Sequence, residues 1–291
     1  MYSNKYDLIT GKWTHKRYLL IKRLGSGGIG EIYLVQSTDG HIYAMKLSTD
    51  MVSITKEYNY LKKFSRSKYI PEVYELDDFE KDGKLYHYFI LEYIQGYDLR
   101  YALKRNLLSK GAKLKIICIL TKILKEINDE GYVYTDLKYE NIMIDRRNKS
   151  IRLVDMGSVT EIGSTVKEYT PMYDRASWGK GDRLADKSYQ VFALAILLVS
   201  MLLNRFLDPY EEKLEVSVDK LKKQGIPYNL QDTIKRCLQG KINDCESLYN
   251  YVARINIKSD GCNNFIKAAL NAAIIMLTMS LLLMGTIFVF R

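Results

Sequence analysis

The run Gly25-Ser26-Gly27-Gly28-Ile29-Gly30, set between two strand-like segments, constrains the fold of this chain more than any other stretch. A G-x-G-x-x-G string that opens a helix, with an acid about twenty residues further on, would mark a dinucleotide-binding fold. Here the residues after Gly30 are β-branched and aromatic, Glu31-Ile32-Tyr33-Leu34-Val35, and continue as a strand. A Thr38-Asp39-Gly40 turn and a third strand over 41–47 follow. The pattern therefore predicts an antiparallel sheet whose first hairpin carries a glycine loop. Such a loop can approach phosphate oxygens because no Cβ stands in the way. Taken alone, it is as readily an ordinary flexible turn.

Further residues give the loop a chemical context. The third strand carries Tyr43-Ala44-Met45-Lys46, and Glu57 lies in a helical run over 53–64. Downstream, Asp136-Leu137-Lys138-Tyr139-Glu140-Asn141 precedes Asp155-Met156-Gly157. In a phosphoryl-transfer site, Asp136 accepts a proton from an incoming hydroxyl and Lys138 neutralises the moving phosphate. Asn141 and Asp155 hold Mg²⁺ from two sides, and Lys46, held by Glu57, reaches the α and β phosphates. Each of these residues alone reads as a solvated charge or a turn former. Their order along one chain is what makes the set specific.

The set resembles the eukaryotic-type, or Hanks-type, Ser/Thr protein kinase family, over residues 15–255. The resemblance implies an α+β, bilobal protein-kinase-like fold after a lead-in at 1–14. An antiparallel-sheet N-lobe with one helix spans about 15–92, and a helical C-lobe spans 93–255. It implies ATP with Mg²⁺ or Mn²⁺ as cofactors, and roles carried over position by position. Gly25, Ser26, Gly27, Gly28, Ile29 and Gly30 cover the phosphates, and Lys46 and Glu57 form the phosphate-binding pair. Asp136 is the catalytic base, Lys138 the Ser/Thr-type loop lysine, and Asn141 and Asp155 the metal ligands. Phe89-Ile90-Leu91-Glu92-Tyr93-Ile94 resembles the strand and hinge between lobes. Leu91 is then the gatekeeper, backbone groups of Glu92 and Ile94 meet the adenine edge, and Asp98 faces the ribose. Ile32 and Ala44 above and Met143 below sandwich the base. The implied activity is transfer of the ATP γ-phosphate to protein Ser/Thr hydroxyls, with autophosphorylation; Lys138 and Thr170 favour Ser/Thr over Tyr. Two rivals stand beside it. One is a nucleotide-binding pseudokinase acting as a membrane scaffold, and the other a small-molecule kinase, disfavoured because Thr170-Pro171 looks built to present a peptide.

Several positions depart from the family pattern. Tyr134-Thr135-Asp136 stands where His-Arg-Asp is usual, so the loop lacks the arginine that receives an activation-segment phosphate. Tyr134 and Met156 are expected to stack with Leu61 between the lobes. Arg175-Ala176-Ser177 replaces Ala-Pro-Glu, and no arginine stands at the matching late position near 237–244, so that ion pair is expected to be lost as a unit. Gln190 replaces the aspartate that braces the catalytic loop.

Beyond the lobes, 256–267 reads as a basic juxtamembrane linker and 268–290 as a transmembrane helix, because that run carries no charge. As a helix it would be about 34 Å long. The expectation is a single-pass C-terminal anchor in the cell membrane, with no signal peptide and the kinase domain cytoplasmic, on the side of Arg254, Lys258 and Lys267. Small membrane-tethered kinases of spore-forming Gram-positive bacteria, some linked to sporulation and some DNA-responsive, are similar. The formal charge of +10 leaves three explanations open: attraction to anionic lipid, DNA binding, or solvated faces without a partner. The candidate patches are Lys104, Arg105, Lys110, Lys113, Lys115, Lys122 and Lys125, and separately Arg146, Arg147, Lys149 and Arg152. A dimer is a further open option. Cys118, Cys237, Cys245 and Cys262 lack metal-ligand spacing and read as reduced thiols, and His15, His41 and His87 form no cluster.

Overall fold

The computed structural model describes residues 8–28 and 30–255. Ile29, the linker 256–267 and the expected span 268–290 lie outside the described residues. The chain opens with β1 (Leu8–Thr10), β2 (Arg17–Ser26), β3 (Glu31–Ser37) and β4 (Ile42–Ser48). After α1 (Met51–Lys63) it continues with β5 (Val73–Lys81) and β6 (Lys84–Glu92). These strands form one antiparallel sheet in the order β1-β2-β3-β4-β6-β5. The sheet starts inside the stretch expected as a lead-in, since Ile9 of β1 sits opposite Tyr18 of β2.

Period-two alternation divides this sheet into two faces. Val35, Met45, Tyr88 and Ile90 pack a small core on one side. Ala44, Phe89 and Leu91 join the main core on the other, together with Ile54 and Leu61 of α1. Asp50 caps α1 by accepting from the Val52 and Ser53 amides, and Lys62 and Lys63 sit in the last turn, where the helix dipole favours cations. The buried face of α1 holds Ile54, Glu57 and Leu61. A carboxylate in that apolar row needs a partner, and the site supplies one.

The second lobe is helical among the described residues, as expected. After β7 (Gly96–Asp98) come α2 (Leu99–Lys104), α3 (Lys110–Asp129) and β8 (Tyr132–Tyr134). The short strands β9 (Ile142–Asp145), β10 (Ser150–Leu153) and β11 (Val159–Glu161) follow. The lobe closes with α4 (Lys187–Leu203), α5 (Leu214–Lys223), α6 (Tyr228–Leu238) and α7 (Cys245–Ala253). Every residue of α4 from Tyr189 to Leu202 is buried, the condition a helix apolar on all sides requires. Among the described residues no helix is long and apolar enough to cross a membrane. Cys118, Cys237 and Cys245 are free thiols.

Two residues assigned to basic surface patches are not on the surface. Arg152 is 5% exposed and Lys113 is 8% exposed. On β10, Arg152 forms an ion pair with Glu92 of β6, lies 3.3 Å from Asp145 and donates to the Ile70 carbonyl at 3.1 Å. It ties the two lobes at the hinge and does not stand on an exposed patch. Lys113 lies on the buried side of α3 beside Leu114, Ile116 and Ile117.

Candidate active site

Antiparallel register sets Lys46 of β4 opposite Ile32 of β3 on one side and Phe89 of β6 on the other. Its ammonium forms a buried ion pair with Glu57 and lies 3.6 Å from Asp155. Burial works against the Lys46 charge, but Asp155 and Glu57 outweigh it and hold its pKa above the ordinary value. Burial, with Asp155 next, pushes the Glu57 carboxyl up to about 7 in spite of Lys46. Lys56 of α1 also donates to the Gly157 carbonyl at 2.9 Å, which fastens the helix to the segment bearing Asp155. Leu61, Tyr134 and Met156 are fully buried members of one core, as the expected stack requires.

The catalytic-loop candidates converge on Asp136. Lys138 pairs with one of its carboxylate oxygens, and the Thr170 hydroxyl donates to the other at 2.7 Å. The Asn141 amide nitrogen donates to the Tyr134 hydroxyl and to the Asp136 carbonyl, each at 3.1 Å. Its oxygen is therefore the end left for a ligand. The Val154 amide bonds the Asn141 carbonyl at 3.0 Å, bringing Asp155 alongside. Two oxygen donors with room for water and phosphate suit Mg²⁺, which rarely takes an all-protein cage.

Around these polar groups lie the candidates for a nucleotide. Gly30 has a packing reason to be glycine, because a Cβ there would sit 2.1 Å from the Leu47 carbonyl oxygen. At Gly25, Gly27 and Gly28 a Cβ would meet nothing within 4 Å. The protein's own packing therefore makes no demand for glycine at those three positions. Asp98 stands opposite Met143 across β7 and β9, with one carboxylate oxygen capping α2 through the Tyr101 amide. The other oxygen has no partner among the described residues. Ala44 lies opposite Leu91. The Glu92 amide is spent on the Glu72 carbonyl at 2.8 Å, which narrows the expected adenine contact at that residue to its carbonyl.

A model of the protein kinase domain matches residues 18–274. The chain belongs to the protein kinase family. It is 36% identical over 199 residues to the serine/threonine-protein kinase YabT of Bacillus subtilis (strain 168), covering 66% of this chain and 57% of that one. Similarity to the serine/threonine-protein kinase PrkC of the same bacterium is 24% identity, over 72% of this chain and 34% of the relative. A putative ribosomal protein S6 kinase alpha-1 of Caenorhabditis elegans is 32% identical over 53% of this chain and 21% of its own length. The chain thus spans little more than half of YabT and smaller shares of the others.

Within this kinase domain, the positions that depart from the family pattern have local substitutes. The Thr135 hydroxyl bonds the Ser158 carbonyl at 2.7 Å, with the Glu168 carbonyl at 3.2 Å, joining the catalytic loop to the segment that leads to Thr170. Main-chain bonds hold that segment on its other side: Val166 donates to the Arg183 carbonyl and Ala185 to the Ser164 carbonyl, both at 2.8 Å. Gln190 accepts from Asn128 of α3 at 2.6 Å, and its own amide nitrogen has no partner among the described residues. It braces α3 and leaves the catalytic loop to other contacts.

The missing glutamate–arginine pair is replaced by a network that sequence reasoning did not find. Asp174 has no exposed surface and accepts from Ser177, from the Tyr189 hydroxyl at 3.0 Å and from Arg183 Nε at 3.0 Å. Burial alone would raise its pKa, but these hydrogen bonds hold the carboxyl below the usual range. The Arg183 guanidinium lies 4.1 Å from the centre of the Tyr169 ring. Next to it Arg175 forms a two-pronged pair with Asp186, at 3.0 and 2.8 Å. The only hint in the sequence is the density of charge between 174 and 186, where Asp and Arg alternate without apolar periodicity.

Proposed function

We propose that this protein is a serine/threonine protein kinase that transfers the ATP γ-phosphate to Ser and Thr hydroxyls of protein substrates. The observation that carries the reading is Asp136, gripped by Lys138 on one carboxylate oxygen and by Thr170 on the other. A base held this way is aimed at an incoming hydroxyl and cannot rotate away. Lys46, fixed by Glu57, takes the α and β phosphates, while the glycine loop covers them with backbone amides. Ile32, Ala44 and Met143 enclose the adenine, the Glu92 carbonyl and Ile94 backbone meet its edge, and Asp98 takes the ribose. Asn141 and Asp155 hold Mg²⁺, which when bound neutralises charge on the phosphates. An assembled polar set of this kind favours catalysis over a scaffold that only binds nucleotide.

The test is transfer from radiolabelled ATP, using the full-length protein in detergent with and without a generic protein acceptor. Phosphoserine and phosphothreonine are the expected products of acid hydrolysis. Binding of Mg-ATP with no transfer under any condition would hand the role to the scaffold, and phosphotyrosine alone would overturn the residue preference.

We infer further, from the charge-free run at 268–290, that the kinase is tethered to the cell membrane with its catalytic lobes cytoplasmic. Deleting residues 268–291 is expected to move the protein from the membrane pellet to the supernatant with its transfer activity intact. For the full-length protein, high salt should leave the pellet unchanged and detergent should empty it, because a spanning helix is insensitive to screening. Release by salt alone would show that exposed lysines and arginines, and not a helix, hold it there.

A further inference from the structure

At the hinge the two lobes border an open cleft of about 790 Å³, and neither Lys46 nor Asp136 lines it. Its walls come from the turn after α1, from Glu92, and from the hairpin between β9 and β10. Arg66, Lys68, Lys149 and Arg152 line it, with Ser65 and Ser150 between them. Like charges gathered in one concavity repel unless something answers them. Two carboxylates in the wall answer these four cations only in part: Glu92 is taken by Arg152, and Glu72 lies against the Tyr74 hydroxyl. Arg66 and Lys149 have no carboxylate partner among the described residues, and Lys68 rests on the Tyr69 ring.

The cleft is also built rather than improvised. Asp145, itself buried, accepts from the Arg147 and Asn148 amides and from the Asn148 side chain, which locks the hairpin turn. Lys149 follows in the left-handed region at φ 48°, an uncommon setting for a lysine. On the opposite wall, the Leu153 amide bonds the Tyr69 carbonyl at 2.8 Å, so the N-lobe turn cannot drift from β10. A single phosphate would leave most of this volume empty.

We propose that this cleft binds a compact polyanion bearing two or more phosphate groups, and that its occupancy modulates the nucleotide site through Arg152 and Glu92. Arg66, Lys68 and Lys149 supply the charge, and Arg152 transmits it. Arg152 grips the side chain of the residue whose carbonyl is assigned to adenine, so a second anion drawing on Arg152 loosens its hold on the hinge. The direct consequence is a change in the KM for ATP with little change in kcat. The coupling rests on the kinase reading, whereas binding itself does not.

The experiment is calorimetric titration of the full-length protein in detergent, with its nucleotide site saturated by a non-hydrolysable ATP analogue and Mg²⁺ in excess. Two probes are used, tripolyphosphate and a water-soluble short-chain phosphoinositide. Binding of both identifies a free polyanion site, and binding of the phosphoinositide alone identifies a lipid headgroup as the source; either supports the shared chemistry. The double variant Arg66→Ala/Lys149→Ala is expected to weaken binding at least tenfold, while its KM for ATP without probe stays at the wild-type value. The variant Lys104→Ala/Arg105→Ala, which removes equal charge outside the cleft, should bind as wild type. No heat with either probe, or equal losses in both double variants, overturns the site. Binding that leaves the KM for ATP unmoved overturns the coupling.

Discussion

Asp136→Asn is expected to lower phosphoryl transfer about a thousandfold, within the range for removing a positioned general base. The change is nearly isosteric, and the amide oxygen can still accept from the Thr170 hydroxyl that now bonds Asp136 at 2.7 Å. What disappears is the capacity to take a proton, together with the charge that answers Lys138. The loss should fall on kcat, since no nucleotide contact is assigned to Asp136 and the affinity for Mg-ATP should survive. Single-turnover rates with a peptide acceptor and fluorescence titration of ATP separate the two. The melting temperature should stay near wild type. A variant that retains more than a tenth of the wild-type rate would remove Asp136 from the role of base.

Asp174→Ala should produce the largest loss of stability among single changes near the site, about 3 kcal/mol. The carboxylate has no exposed surface, and its removal strands the Tyr189 hydroxyl, the Ser177 side chain and Arg183 together. Arg183 keeps partial access to water and recovers some of its cost, which is why the figure stays below the upper range for a fully buried pair. For a domain of this size the change corresponds to a fall in melting temperature of about 6–12 °C. Activity should report the local consequence as well. The segment from Thr170 to Ser177 is pinned to the start of α4 through Asp174, so the KM for a protein acceptor should rise more than the KM for ATP. Asp182→Ala removes an exposed carboxylate nearby and serves as the control, with an expected effect within about 0.5 kcal/mol. Equal melting temperatures for the two variants would show that the buried network contributes nothing to stability.

The convergence of the candidate site residues was legible because it depends on order along the chain and on period-two and helical spacing, both of which a sequence displays. Lys46 on a strand and Glu57 on the face of a helix meet as that spacing requires. Arg152 was misread for the opposite reason. In the sequence it stands among Arg146, Arg147 and Lys149 as one more surface charge, and only the pairing of β9 with β10 turns it inward to Asp145 and Glu92. Lys113 shows the same blindness on a helix, where a long aliphatic stem can share a buried stripe with leucines. The Asp174 and Arg183 pair lies in a segment without apolar period, and its geometry follows from how that loop docks on α4. Family pattern pointed to a vacancy there because it names a glutamate and an arginine at fixed places, whereas the physical need is a buried charge with enough donors around it.

The Thr135 hydroxyl and the main-chain bonds around it fasten the stretch before Thr170 with uncharged groups, whereas the ion pair of Asp174 with Arg183 holds the stretch after it. Uncharged contacts of this kind are not screened by salt, so the joint before Thr170 should hold at ionic strengths that loosen exposed ion pairs.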